Sequence, residues 1–203
     1  ANKGIIVDIL PRERALYRKK NGRVADRQAI ASYVDKAFIV QSLDDNFNVR
    51  RVERFMVQIM EENISSVLVL NKADLDSERQ SVEEQIKHIS SQIPVFFTSI
   101  HQLETIVRLR KSISEGETVV FVGSSGVGKS SLVNALCEKP VLLTSDISLS
   151  TGKGRHTSTR REMVLMDSSG VLIDTPGVRE FGLAIDKPDS LAEVLEISDY
   201  AEL

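Results

Sequence analysis

A single cysteine, Cys137, stands in 203 residues. One thiol cannot close an intramolecular disulfide or supply a cysteine-based zinc site, so both are excluded as the framework of this chain. Cys137 falls on the apolar side of a predicted helix and is read as a core thiol, not a reactive one. Hydrophobic residues make up 41% of the sequence and charged residues 27%, yet no apolar run has the length of a membrane span or the layout of a secretory signal. These absences point to a soluble, cytoplasmic protein of one main domain. A formal net charge of −3 also argues against an all-over basic coat for nucleic acid.

What is present is a set of short polar loops, each following an apolar run. Gly123-Ser124-Ser125-Gly126-Val127-Gly128-Lys129-Ser130 has the spacing of a phosphate-binding loop. Its glycines let successive backbone N–H groups turn inward around phosphate oxygens, and Lys129 reaches the outer phosphates. The run Thr118 to Val122 before it reads as a buried strand. Ser131 to Leu136 after it reads as a helix whose N-terminal dipole favours anions. A chance glycine-rich turn would lack that context. The expected nucleotide contacts here are Ser125, Gly126, Val127, Gly128, Lys129, Ser130 and Ser131.

Asn71-Lys72-Ala73-Asp74 follows the strand-like run Ser66 to Leu70, at the strand end where open α/β sheets bind ligands. A carboxylate there accepts both N1–H and the exocyclic amine of guanine. Adenine leaves it unpaired, so Asp74 selects guanine nucleotides. Asn71 and Lys72 are assigned to the same pocket. Thr98-Ser99-Ile100, after the apolar run Ile93 to Phe97, is expected to bring the backbone of Ser99 to guanine O6. Asp174-Thr175-Pro176-Gly177 ends the run Val171 to Ile173. It places Asp174 for magnesium and the Gly177 N–H for the γ-phosphate.

Together these loops predict hydrolysis of GTP to GDP and phosphate with magnesium. Ser130 and Asp174 are expected at the metal, with a hydroxyl from the segment Gly154 to Arg160. Thr159 is the first choice for that hydroxyl and Thr157 the second. Val178 stands where many GTPases place a water-orienting glutamine. Intrinsic turnover is therefore expected to be slow, about 10⁻⁴ to 10⁻² per second. His156, in the same segment, is the candidate to orient water once a partner rearranges it. His156, Lys129 and Gly177 form the expected catalytic set.

Apolar runs predict six strands: Ala37 to Gln41, Val67 to Leu70, Pro94 to Phe97, Thr118 to Val122, Arg161 to Met166 and Val171 to Ile173. A hairpin turn, Asp167 to Gly170, joins the last two. Helices are predicted over Phe47 to Glu62, Glu78 to Ser90, His101 to Ser112 and near Ser190 to Ile197, and short strand pieces over Gly4 to Ile9 and Ile30 to Val34. The fold class is α/β, a mostly parallel six-stranded sheet with helices on both faces. In sequence, however, the base loop precedes the phosphate loop. Moving the first three strands to the end restores the ordinary GTPase order, so the domain is read as circularly permuted.

The runs Gly123 to Asn134, Gly154-Arg155-His156-Thr157 and Asp174 to Leu183 resemble the RsgA family of small ribosomal subunit biogenesis GTPases. Other permuted ribosome-assembly GTPases usually carry Pro-Asn where this chain has Ser125-Gly126. The resemblance implies a GTPase acting late in small-subunit maturation, stimulated by that subunit. The alternative is a GTP-gated RNA or ribosome-binding module of another permuted family. It further implies GTP/GDP and magnesium as ligands, rRNA of the small subunit as partner, and no role for DNA or membrane. A monomer is expected. Residues 1–35 are read as an OB-fold remnant and linker, 36–185 as the GTPase domain and 186–203 as the start of a helical region. The zinc module of the full-length family has no ligands in this sequence, which reads as a trimmed or partly ordered chain. Ser158 and Ile100 replace the more usual Thr and Ala.

Local charge departs from the average. Arg12, Arg14, Arg18, Lys19, Lys20, Arg23 and Arg27 face only Glu13 and Asp26, with Tyr17 interleaved. The stretch reads either as an RNA contact or as a solvated loop. Arg155, Arg160 and Arg161 form a second basic group beside the nucleotide. His88 and His101 are read as uninvolved, and Phe38, Phe55 and Phe96 as core.

Overall fold

Strand β3 (Lys36–Ser42) is hydrogen-bonded on both sides and lies at the centre of the protein. The computed structural model describes residues 5–9, 11–19, 27–44, 47–75, 79–142, 161–167 and 170–175. Among these, six strands form one sheet in the order β5-β4-β3-β6-β8-β7: β4 is Ser65–Asn71, β5 Val95–Phe97, β6 Thr118–Val122, β7 Glu162–Leu165 and β8 Val171–Asp174. All neighbours are parallel except β7 and β8, which pair antiparallel. The six expected strands are thus all present, the fifth slightly shorter than expected.

Continuous apolar runs suit these strands because both faces are covered. On one face Ile39, Leu68, Val120 and Val122 meet helix α1 (Val49–Glu61) through Val52, Phe55, Met56 and Ile59. On the other, Phe38, Val69, Val119 and Phe121 meet α4 (Leu103–Lys111) and α5 (Lys129–Leu136). Phe38 and Phe121 stack edge to face with ring centroids 5.3 Å apart. Each fully buried ring of this kind contributes roughly 2–3 kcal/mol. Phe55 is buried and Phe96 half-buried against the second core. The Cys137 thiol is buried too, which raises its pKa.

Three local expectations differ. The helix expected over Glu78 to Ser90 is split into α2 (Arg79–Gln85) and α3 (Lys87–Ser90) at Ile86. Val82, Ile86 and Ile89 still share the buried side, so the break leaves the apolar periodicity intact. Residues 5–9 form no strand, and Ile5, Ile6, Val7 and Ile9 are each more than 80% exposed. The basic stretch contributes a strand instead of a bare loop: β1 (Leu16–Lys19) pairs antiparallel with β2 (Arg27–Ala31). Leu16, Ile30 and Ala31 of this ribbon, with Val34 after it, share the core beneath α1. The side chain of Gln58 on α1 donates to the Tyr17 carbonyl. Arg14 pairs with Asp35 at 3.1 Å, and Asp35 Oδ2 accepts the Thr118 N–H, so the ribbon is tied to the start of β6.

Candidate nucleotide site

The loops singled out in the sequence gather at the C-terminal ends of β4, β3, β6 and β8. Strand order reverses between β3 and β6, and such a switch point is where open parallel sheets leave a ligand crevice. The phosphate loop leaves β6 at Gly123, whose φ is +151°, and a Cβ there would meet the Val40 carbonyl oxygen at 2.3 Å. Gly128 has φ +91°, and its Cβ would meet Asn71 Nδ2 at 2.4 Å. Only glycine fits these two positions. Ser125 and Gly126 are exposed at the rim, and Val127 is buried against the core. Ser131 is half-buried in the first turn of α5.

Lys129 is 6% exposed, and its Nζ donates to the carbonyls of Gly123 at 3.1 Å and Ser124 at 3.0 Å. Burial pushes its pKa down to about 8, and the nearby Asp174 carboxylate opposes the fall. Asp174 is also buried. Its pKa is raised by that burial, while hydrogen bonding from Ser130 and the charge of Lys129 act the other way. Ser130 Oγ donates to Asp174 Oδ2 at 2.6 Å. Asp174 Oδ1 is buried with no hydrogen-bond partner among the described residues. A cradle only glycine can form, a desolvated ammonium and an orphaned carboxylate oxygen fit a polyphosphate with its divalent cation. No cluster of three or more His, Cys, Asp or Glu able to hold a metal lies among the described residues.

Asn71 takes a different part from a plain base contact. Its Nδ2 donates to the Val127 carbonyl at 2.9 Å, and its Oδ1 faces Thr98 Oγ1 at 3.4 Å. One buried side chain therefore joins the base loop, the phosphate loop and the end of β5. Lys72 adopts a left-handed φ of 60° and pairs with Asp44 at 2.9 Å, while Ser42 donates to the same carboxylate. Asp74 is exposed, and its carboxyl is held below the usual range, first by the Ser99 hydroxyl. The His101 N–H donates to Ser99 Oγ at 3.1 Å.

The Ser99 backbone N–H donates to Thr105 Oγ1 at 3.0 Å, and the Ser99 hydroxyl hydrogen-bonds to Asp74. The roles of Thr105 and Asp44 were not anticipated. The signal for the first was a threonine one turn into a helix that follows Thr98-Ser99. Arg161 donates to the Ala29 carbonyl on β2. His156, Thr157, Thr159 and Gly177 lie outside the described residues, as do Arg155 and Arg160.

The family model described as RsgA GTPase matches residues 9–184. The chain belongs to the RsgA GTPase family. It is 84% identical over its whole length to small ribosomal subunit biogenesis GTPase RsgA 1 of Bacteroides thetaiotaomicron, covering 57% of that protein. It is 38% identical over 98% of its length to RsgA of Leptospira interrogans, covering 56% of it. The chain thus spans a little over half the length of these curated relatives. Among solved structures, YjeQ from Thermotoga maritima superposes with a TM-score of 0.61 at 26% identity, over 84% of this chain and 54% of that one. YloQ, described as a circularly permuted GTPase, gives 0.61 at 19% identity over 93% and 65%. The RsgA-type permutation is visible here directly, because Asn71 at the end of β4 reaches forward 56 residues to Val127.

Proposed function

We propose that this chain is the GTP-binding and GTP-hydrolysing part of a small ribosomal subunit biogenesis factor. The observation that carries the reading is the Asn71–Val127 bond, which ties a guanine-type loop to a phosphate loop at one end of one sheet. Asp74 reads the base, with Ser99 orienting it. Lys129, Ser130 and the backbone of Ser125 to Ser131 hold the phosphates. Magnesium, when bound, neutralises charge on the phosphate oxygens. Ser130 and Asp174 are suited to hold it, Asp174 through its unpartnered oxygen, with Thr159 or Thr157 as a further ligand. Gly177 meets the γ-phosphate, and His156 orients the attacking water in the complex with the subunit.

The partner that fits is the small ribosomal subunit and its rRNA, which places the work in the cytoplasm. Curated relatives, of which this chain spans a little over half, carry that role in their names. The β1–β2 ribbon carries part of the basic stretch that would meet phosphates, and Arg14 is committed to Asp35. The test is GTP hydrolysis with and without purified small and large subunits. Stimulation by small subunits alone, lost in His156→Ala while subunit binding persists, is the expected result. Subunit binding that depends on GTP without any rise in hydrolysis would instead make the protein a nucleotide-gated binding module.

A further inference from the structure

Thr105 lies in the first turn of α4, and its hydroxyl is used twice. The oxygen accepts the Ser99 backbone N–H at 3.0 Å, while its single hydrogen has the Gln102 carbonyl at 2.7 Å, nearer than the Ser99 carbonyl at 3.2 Å. Donation toward Gln102 leaves a lone pair for Ser99. The helix that carries it is anchored in the core through Ile106 and Leu109, both buried, so the acceptor is presented from a rigid element.

The residue it holds lies at the edge of the base loop. The Thr98 N–H donates to the Leu70 carbonyl at 2.8 Å, and the Thr98 carbonyl accepts the Ala73 N–H at 3.0 Å. Among the described residues the backbone pairing of these two loops stops there, just before Ser99 and Asp74. Ser99 is 1% exposed, so its N–H has no ready access to water once Thr105 is gone. The Ser99 hydroxyl oxygen accepts the His101 N–H at 3.1 Å, and its own hydrogen goes to the Asp74 carboxylate. Asp74 is exposed, and without that bond its side chain is free to sample several rotamers.

We infer that Thr105 is a positioning residue for guanine selectivity: by fixing the Ser99 backbone it sets the hydroxyl that orients Asp74 toward the base. This rests on the nucleotide reading above. Thr105 touches neither the nucleotide nor Asp74 in this scheme and acts only through Ser99. A hydroxyl that merely closes the first turn of α4 onto Gln102 would affect stability and nothing more.

The experiment titrates the unaltered chain, Thr105→Val, Thr105→Ser, Ser99→Ala and the combination of Thr105→Val with Ser99→Ala. The ligands are GDP, pyrophosphate and inosine diphosphate, which lacks the 2-amine that Asp74 accepts. The unaltered chain should prefer GDP over inosine diphosphate by about tenfold, the worth of one hydrogen bond to a charged group. Thr105→Val is expected to narrow that preference by about threefold at unchanged pyrophosphate affinity, and Thr105→Ser, which keeps the hydroxyl, to retain it. Ser99→Ala should narrow it as far alone as in combination with Thr105→Val. A lowered melting temperature in Thr105→Val with the preference intact would overturn the inference. So would a Thr105→Ser that narrows it as far as Thr105→Val, or a further narrowing when Thr105→Val is added to Ser99→Ala. Should Thr105→Val fail to fold, Thr105→Ala, which removes the hydroxyl without setting a methyl in its place, answers the same question. An unaltered chain that binds GDP and inosine diphosphate equally would instead refute the reading of Asp74 itself, and this inference with it.

Discussion

Lys129 and Asp74 stand at the ends of strands that flank β3, and the protein treats their charges in opposite ways. Lys129 is almost wholly buried and its pKa falls to about 8, while Asp74 lies in the open with its carboxyl held below the usual range. The phosphate side thus keeps a desolvated cation that lacks a full counter-charge until an anion arrives. The base side keeps a hydrated carboxylate, oriented by Ser99, that needs only a shape to read. On the proposed reading, affinity is concentrated on the first side and specificity on the second.

The largest effect expected from this contrast is on Lys129. Lys129→Met should weaken GDP binding by about a hundredfold or more, because the buried ammonium available to the phosphates is lost. It should leave the melting temperature of the ligand-free chain unchanged or raised, since a buried charge is removed. The pH dependence follows from the same group. Its folded pKa of about 8 lies below the ordinary 10.5, so between these values the unfolded chain binds more protons. Stability of the ligand-free chain therefore rises with pH across that window. Nucleotide binding wants the ammonium, so affinity should fall there, by up to about tenfold per pH unit. A flat titration from pH 7 to 10 would show that Lys129 is not desolvated.

Asn71→Ala sharpens the division between the two sides, because this residue belongs to both. It leaves the Val127 carbonyl unpaired, which costs about 1–3 kcal/mol and should lower the melting temperature by several degrees even without nucleotide. A change in affinity with no change in melting would make Asn71 a ligand contact and not a tie between loops. The smallest effect is expected for Ser99→Ala. It should weaken guanine nucleotide binding by a few-fold and raise the Asp74 pKa, followed by carboxyl NMR, while phosphate affinity measured with pyrophosphate stays unchanged.

Much of this was legible in the sequence, and for a physical reason. Thr118 to Val122 and Ser66 to Leu70 are buried on both faces, so they read as unbroken apolar runs, and the loops that follow them carry fixed chemistry. Side-chain ties across distance were not legible. Nothing local to Asn71 says that its amide spends itself on Val127, nor that the Ser99 N–H is claimed by Thr105. β1 was hidden because Leu16–Lys19 holds one buried aliphatic side chain among basic residues. Residues 5–9 misled in the opposite direction. An apolar run suggests a strand, but a strand also needs a hydrogen-bonding neighbour, which composition cannot reveal.

The central claim, that one sheet end carries a guanine-reading loop and a phosphate loop acting on one ligand, is tested most directly by competition titration. Labelled GDP is displaced with GTP, ATP and xanthosine diphosphate from the unaltered chain and from Asp74→Asn. The account predicts displacement by GTP but not ATP from the unaltered chain, and a gain for the xanthine nucleotide in the variant, whose amide can donate to the 2-oxo group. Equal displacement by ATP and GTP, or a variant with unchanged preference, would contradict it.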